Sequence, residues 1–577
     1  MFHPRADKYF DPLNDATATA APAPSGRDAS LLWLLAAIAV LTVYRGLSLY
    51  YSGLDLYVDE AQYWTWAQHL QWGYYSKPPV IAALIGLTTS MCGDGAVCVK
   101  SGALLLYPFI TLLIWALARR LFGGRVALWS ALAFLTLPGV SLSSLIISTD
   151  VPFFLFWTLA LYAYLRAVEQ AAATPPFTPP SASADGPTPS QRERDKGRQP
   201  AAAASMSWSW WLLAGLAAGV GLLTKYTMVI FVLSVLLHLA LTPRLRPILR
   251  EPRLYAAMAL ALLVFAPNLW WNAQNGWPTL RHTEDISHLH GDAGLHWNHL
   301  GEFLGGQFGV MGPVLFGAWL ALLLWRPQRW WADERYRFLA SFALPFLGLI
   351  SLQALAGRAN ANWGAMAYAS GIVFVVALLL QRGRTTLLTV GLAFNMLLMP
   401  LTYQFDAWTN YFVIGLADKS SLPHCLGAWR RLQACDVPLT LPDPFKRVRG
   451  WALLGRQAQL LQAQYPGTLF LADARDILAE LMFYAHPHPL DAVLWNPQQV
   501  MDSHYALSTR MDDKLGRDFL YFTDTAKLPP QVLQSFDSAE ALPPLHATVL
   551  RDFALDYKVW YLRGFKGYAT AGATAAP

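Results

Sequence analysis

The sequence predicts an α-helical, polytopic membrane protein that ends in a small α/β domain. Three observations carry this reading. Charged residues make up only 14% of the 577 positions and mean hydropathy is +0.31, whereas a soluble chain carries about a quarter charged residues. Apolar runs approaching the ~20 residues needed to cross a bilayer recur as far as position 402. Beyond that position they stop, and the strand-like "GTLFLAD" and "RDFLYFTD" follow the helical "GWALLGRQAQLLQAQ".

Residues 1–30 are rich in Pro, Ala and Asp and form a cytoplasmic tail rather than a signal peptide. The run from Leu31 is too long for a signal segment and has no small-residue cleavage site, so it reads as an uncleaved anchor. Spans are expected near 31–51, 99–118, 126–145, 151–168, 208–223, 226–242, 254–272, 305–325, 337–355, 364–381 and 385–402, about eleven in all. The segment "VIAALIGLTTSMC" (80–92) is too short to span and is expected along the membrane interface.

Alternate connections are basic. Arg119, Arg120 and Arg125 form one cluster; Arg192, Arg194, Lys196 and Arg198 the next; then Arg244, Arg246, Arg250 and Arg253; then Arg326, Arg329, Arg335 and Arg337; and last Arg382 and Arg384. The positive-inside rule places these clusters and the N-terminus in the cytoplasm. The net charge of +6 is explained by that orientation and needs no nucleic-acid partner. Residues 170–207, rich in Pro, Ala and Ser, read as a disordered cytoplasmic linker inside a membrane domain spanning 31–402. An odd span count puts residues 403–577 outside. All four cysteines then lie outside as two close pairs, and disulfides Cys92–Cys98 and Cys425–Cys435 are expected over the alternative of free buried thiols.

The first outer loop holds "DEAQYWTWAQHLQWGYYSKPP", starting at Asp59. An ionised carboxylate at membrane level is costly without a partner or a task. Asp59, Tyr63, Trp66 and Leu70 fall at helical spacing along one face, and Trp and Tyr suit an interfacial helix. Acidic residues in a first turn also serve a bland purpose, because they stabilise a helix N-terminus. That accounts for Asp59 and Glu60 but not for Lys77, held in a turn by Pro78 and Pro79. A carboxylate and a cation at headgroup depth suit chemistry on a lipid-linked phosphate.

Four further segments follow in order: "STDVP" (148–152), "LLTKYT" (222–227), "APNLWWNAQNGWPTLRH" (266–282) and "ANWGAMAY" (361–368). As an ordered set over residues 31–402, these segments resemble the bacterial relatives of the dolichyl-phosphate-mannose–protein mannosyltransferases, a group that includes the lipid A aminoarabinose transferases. The resemblance implies a GT-C membrane fold, a polyprenyl-phosphate sugar donor, and a lipid, glycan or protein acceptor. It matches the family's DE acid to Asp59, its KP lysine to Lys77 and the acid of the next outer hairpin to Asp150. Two positions depart from the aminoarabinose transferases: Ser76 stands where they carry an acid, and Gln62 where they carry an arginine. The missing acid argues against a cationic amino sugar.

The implied activity is inverting glycosyl transfer, with Asp59, Glu60 and Asp150 as the candidate catalytic acids. A hydroxyl acceptor needs a carboxylate within hydrogen-bond reach to take its proton, and Asp59 is assigned that role. The departing lipid phosphate gains charge, which fixed cations stabilise: Lys77 first, Lys225 second, Arg281 and Arg358 after them. Lys225 also fits a lysine that merely snorkels to the interface, and Asp150 also fits a helix cap before "VPFF". The loop "RHTEDISHLHGDAGLHWNH" (281–299) is rich in histidine but lacks recognised zinc-ligand spacing. It reads as an outer loop that helps cover the acceptor, and no metal or other cofactor is expected. The rival reading is a lipid-sugar flippase, but transporters place ionisable groups near the midplane on broken helices, and here the charges sit in outer loops. A phosphoethanolamine transferase with a metal-dependent catalytic tail is disfavoured, because the tail shows no Asp and His cluster at metal-site spacing.

Overall fold

The computed structural model describes residues 29–171, 208–287, 294–325, 327–405, 445–550 and 553–569. The N-terminal tail, the linker from 172 onward, Arg326, Cys425, Cys435 and the centre of the histidine-rich loop therefore lie outside the described residues.

The N-terminal part is all helix. In chain order it comprises α1 (Ala29–Tyr51), α2 (Val58–Gln68), α3 (Val80–Cys92), α4 (Ala96–Phe122), α5 (Gly124–Leu135), α6 (Pro138–Ser143) and α7 (Asp150–Ala171). Next come α8 (Trp208–Leu222), α9 (Val229–Leu241), α10 (Pro252–Gln274), α11 (Pro278–Ser287), α12 (Trp297–Met311) and α13 (Pro313–Leu324). The series closes with α14 (Pro327–Trp331), α15 (Glu334–Ala356), α16 (Tyr368–Gln381) and α17 (Thr385–Tyr403).

Among the described residues, seven helices are long and apolar enough to cross a membrane, eight if the bent pair α12–α13 counts as one. The chain is a multi-pass membrane protein. The expected 126–145 and 305–325 are not single straight spans. The first stops at Leu135, and Pro138 opens α6. The second bends by 117° between α12 and α13. There Gly312 has φ +88°, a Cβ on it would collide with Asn395, and Pro313 opens the new helix. The expected spans 208–223 and 226–242 are shorter apolar helices, as is α3. Large apolar side chains that remain exposed, such as Trp33, Val40, Leu263 and Trp270, mark lipid-facing surface in a chain of this kind.

The two ends of α7 fix the layout. Asp150 opens the helix and pairs with Lys225, while Glu169 near its close pairs with Arg120 and Arg166. At 1.5 Å per residue these ion pairs are separated by about 30 Å along α7, the depth of a hydrocarbon core. Arg335 also donates to the Leu121 carbonyl at the Arg120 end. The basic clusters of α4 and α15 thus occupy one end of the bundle, and the Asp150–Lys225 pair the other.

The C-terminal part contains α18 (Trp451–Gln464), α19 (Arg475–Tyr484), α20 (His504–Ser508) and α21 (Pro530–Ser535) with five strands. These are β1 (Leu469–Ala472), β2 (Val493–Leu494), β3 (Phe519–Thr523), β4 (Phe536–Leu550) and β5 (Phe553–Phe565), in the sheet order β2-β1-β3-β5-β4. β1 runs parallel to β2 and β3, whereas β5 is antiparallel to β3 and β4. The two strand-like segments read from the sequence are β1 and β3. Pro543 and Pro544 interrupt β4 where its register shifts between Leu542 and Leu545, and β4 is an edge strand, where proline is tolerated.

This domain sits directly on α2. Tyr505 bonds Thr65 (3.0 Å), the Leu56 amide donates to the Tyr484 hydroxyl (2.6 Å), and Trp64 packs edge-on against Phe483. Cys92 and Cys98 are joined by a disulfide, which links the end of α3 to the start of α4.

A candidate active site between the first loop, four helix ends and the C-terminal domain

The five segments that were distinctive in the sequence converge on one place. Beyond α2 the chain reverses through residues 69–79, where the Tyr74 amide donates to the Lys77 carbonyl (3.1 Å). Trp66 and Tyr74 stack with ring centroids 4.4 Å apart, and the Tyr74 hydroxyl donates to the Trp66 carbonyl. Asn268 of α10 donates to the Trp72 carbonyl (2.7 Å), and Trp271 donates to Gln71 (3.0 Å). Tyr226 donates to Asn268 (3.0 Å). The Val80 amide donates to the Leu223 carbonyl (3.2 Å), which ties the Lys77 turn to the turn carrying Lys225.

Asp150 accepts from Lys225 Nζ and from Asn362 Nδ2, both at 2.6 Å. Asn362 lies in the 3-10 turn Ala361–Ala367. Asp150 is thus a hub between α7, the α8–α9 turn and the segment before α16. Both of its carboxylate oxygens take side-chain donors, and among the described residues neither takes a backbone amide of α7 as a helix cap would.

The two adjacent acids of α2 face opposite ways. Glu60 is fully buried: Oε2 accepts from Lys100 Nζ (2.6 Å) and the Tyr57 amide (2.8 Å), and Oε1 from the Ile147 amide (2.6 Å). Burial pushes this carboxyl above the usual range, and Lys100 opposes the shift. Glu60 therefore performs the helix-start duty that the sequence also allowed, and pins α2 to α4 and to the entry of α7. Asp59 points out, with its side chain 40% exposed. Its Oδ1 accepts from Arg475 Nη1 at 3.1 Å, and the same nitrogen donates to Gln62 Oε1 at 2.7 Å. Among the described residues Oδ2 of Asp59 makes no hydrogen bond.

Lys77 is half-buried, and among the described residues its ammonium makes no ion pair. Burial, and then Lys225 nearby, lower its pKa, while Asp59 and Asp150 oppose the shift. Tyr63 is buried beside the same carboxylates, and burial keeps its hydroxyl protonated far into the alkaline range. His504 of α20 accepts from the Tyr75 amide through Nδ1 (3.4 Å) and packs edge-on to Trp66 and Tyr74. Burial lowers its pKa to about 4, so it supports the Lys77 loop as a neutral ring.

Arg281 of α11 and Arg358 of the α15–α16 connection are exposed and join neither Asp59 nor Asp150 in an ion pair among the described residues. Arg475 and Tyr63 were not singled out as site residues from the sequence. Tyr63 had a signal, since it shares a helical face with Asp59. Arg475 had none, because it lies in another domain. Among the described residues no three His, Cys, Asp or Glu side chains group as metal ligands. A separate cavity of about 430 Å³, lined by Tyr44, Tyr51, Tyr403 and Arg449 among others, lies where α1 and α17 end and shares no residue with this cluster.

The family described as dolichyl-phosphate-mannose-protein mannosyltransferase matches residues 76–174 and 201–271, segments that contain Lys77, Asp150 and Lys225. A lipid A galacturonosyltransferase, RgtD, of Rhizobium johnstonii is 30% identical over 518 residues, 86% of this chain and 93% of the relative. The chain belongs to the GT-C family of membrane glycosyltransferases. Its fold is shared with ArnT from Cupriavidus metallidurans. The apo structure of ArnT covers 92% of this transferase and 98% of that chain at 16% identity and TM-score 0.55. A second ArnT structure, bound to undecaprenyl phosphate, covers 93% and 98% at 15% identity and TM-score 0.53. This transferase is an enzyme, and the flippase reading is not favoured.

Proposed function

We propose that the transferase moves one sugar from a polyprenyl phosphate to a hydroxyl of lipid A, with inversion, on the periplasmic face of the inner membrane. The observation that carries this is a half-buried Lys77 that makes no ion pair among the described residues, beside an outward-facing Asp59, on a loop tied by the Val80–Leu223 backbone bond to the turn of Lys225. Relatives supply the substrate classes: RgtD is named for lipid A and galacturonic acid, and one ArnT structure holds undecaprenyl phosphate.

The chemistry follows from the residues. The lipid phosphate binds Lys77, whose positive charge is least stable with the site empty and is restored by an anion. Lys225, anchored by Asp150, stands behind it. Asp59 takes the acceptor proton as the acceptor oxygen attacks the anomeric carbon from the face opposite the phosphate. The bond from the anomeric carbon to the phosphate oxygen breaks, and polyprenyl phosphate leaves with its new charge held by the two lysines. Asp150 keeps Lys225 and Asn362 in place and, with Asn362, borders the sugar. Glu60 is structural. Arg281 and Arg358 belong to the rim, where they meet acceptor or lipid headgroups. The domains divide accordingly: 31–402 forms the catalytic membrane domain and 403–577 a periplasmic domain that closes the site over α2.

The orientation follows from the basic clusters lying at the end of the bundle opposite the site. The test is mass spectrometry of lipid A from a deletion strain. The strain should lose one sugar residue, regained with the wild-type gene and not with Asp59→Asn. An unchanged lipid A profile contradicts the acceptor assignment.

A further inference from the structure

We infer that Arg475 is the residue that selects the sugar, and that it selects a hexuronic acid by binding the sugar carboxylate. The inference rests on the reading above that Asp59 faces the anomeric carbon.

Arg475 is the first residue of α19 and reaches from the C-terminal domain across to α2. Both of its hydrogen bonds, to Asp59 and to Gln62, leave from Nη1. Among the described residues Nε and Nη2 make none, and the side chain remains 42% exposed. Two acceptors therefore hold one nitrogen and aim the guanidinium, while another edge stays open. That edge presents two parallel N–H groups, the fork that matches a carboxylate in a bidentate pair.

The other charges leave this task to Arg475. Lys77 and, behind it, the Asp150-paired Lys225 serve the lipid phosphate in the reading above. Among the described residues the acids around Lys77 already have tasks: Asp150 accepts from Lys225 and Asn362, Asp59 is the base, and the residue before Lys77 is the neutral Ser76. A second anion finds an open arginine. The position is also right for sugar geometry. In a pyranuronic acid the carboxylate hangs from C5, two bonds from the anomeric carbon through the ring oxygen. A group that reads it must stand close beside the base at that carbon, and Arg475 is 3.1 Å from Asp59.

The test uses the full-length transferase in proteoliposomes with lipid A and two donors, undecaprenyl-phosphate-linked galacturonic acid and its galactose counterpart. Initial rates over a range of donor concentrations give kcat/KM for each. The wild type should prefer the uronic acid donor. Arg475→Gln should reduce that preference about 10- to 100-fold, the scale of losing hydrogen bonds to a charged group, chiefly through KM. Arg475→Lys, which keeps the charge but loses the fork, should fall between. Equal losses for both donors would show that Arg475 only positions Asp59, and would overturn the assignment. A wild type that prefers the neutral donor would overturn it without any variant, so the outcome does not depend on how well the variants fold. Transfer of neither donor by the wild type is a different failure, which sinks the functional reading itself and this assignment with it.

Discussion

Glu60 and Asp59 are neighbours with opposite fates, and burial separates them. Glu60 and Lys100 are each fully buried and joined at 2.6 Å, so each compensates the other's desolvation. Glu60→Ala leaves the Lys100 ammonium buried and alone, which costs about 3–5 kcal/mol. The expected result is a sharp loss of folded protein and a lower unfolding midpoint in detergent, rather than a folded but inactive enzyme. Full stability with selective loss of transfer would return Glu60 to the list of catalytic acids. The sequence placed both acids in the first turn of an interfacial helix, which is local information. It had no means of showing which acid turns inward, because that depends on Lys100 and on the Ile147 amide, which lies 87 positions away.

At the scale of elements, the transferase uses helix ends and breaks as its tools. Three chemical groups of the site come from such places: Lys77 from the turn before α3, Asp150 from the start of α7, and Lys225 from the turn between α8 and α9. Pro78 and Pro79 mark the Lys77 turn in the sequence, the family resemblance points to Lys77 and Asp150, and Lys225 reads as a second cation for the phosphate. The bend at Gly312 was not legible, because hydropathy reports where an apolar run lies and not which way it points. There the positive φ and the contact with Asn395 both exclude a side chain. Gly312→Ala should therefore cost roughly 1–3 kcal/mol through backbone strain and overpacking, read as a lower unfolding midpoint. An unchanged midpoint would mean that the α12–α13 break is held by Pro313 alone.

At the scale of the whole molecule, the bundle and the C-terminal domain build one site between them. Arg475 meets Asp59 across 416 positions of sequence, and no local pattern reveals such a partner. The domain itself was legible from its hydropathy change and two of its strands, but its face toward α2 was not. If that face and the site lie in the periplasm, a cysteine introduced at the exposed Leu515 should label in spheroplasts with a membrane-impermeant thiol reagent. One at the exposed Arg384, on the basic end, should label only after lysis. The reverse pattern would invert the proposed topology. The account as a whole turns on Asp59, where the first loop, four helix ends and the second domain meet. Its most direct measurement is sugar transfer from a polyprenyl-phosphate donor by Asp59→Asn, with donor binding followed separately and Lys77→Ala alongside. Asparagine keeps the size and the helix-start preference of aspartate and removes only the proton acceptor. Turnover should fall about 100-fold or more with donor binding little changed, whereas Lys77→Ala should weaken binding as well as turnover. Near-normal transfer by Asp59→Asn would contradict the account.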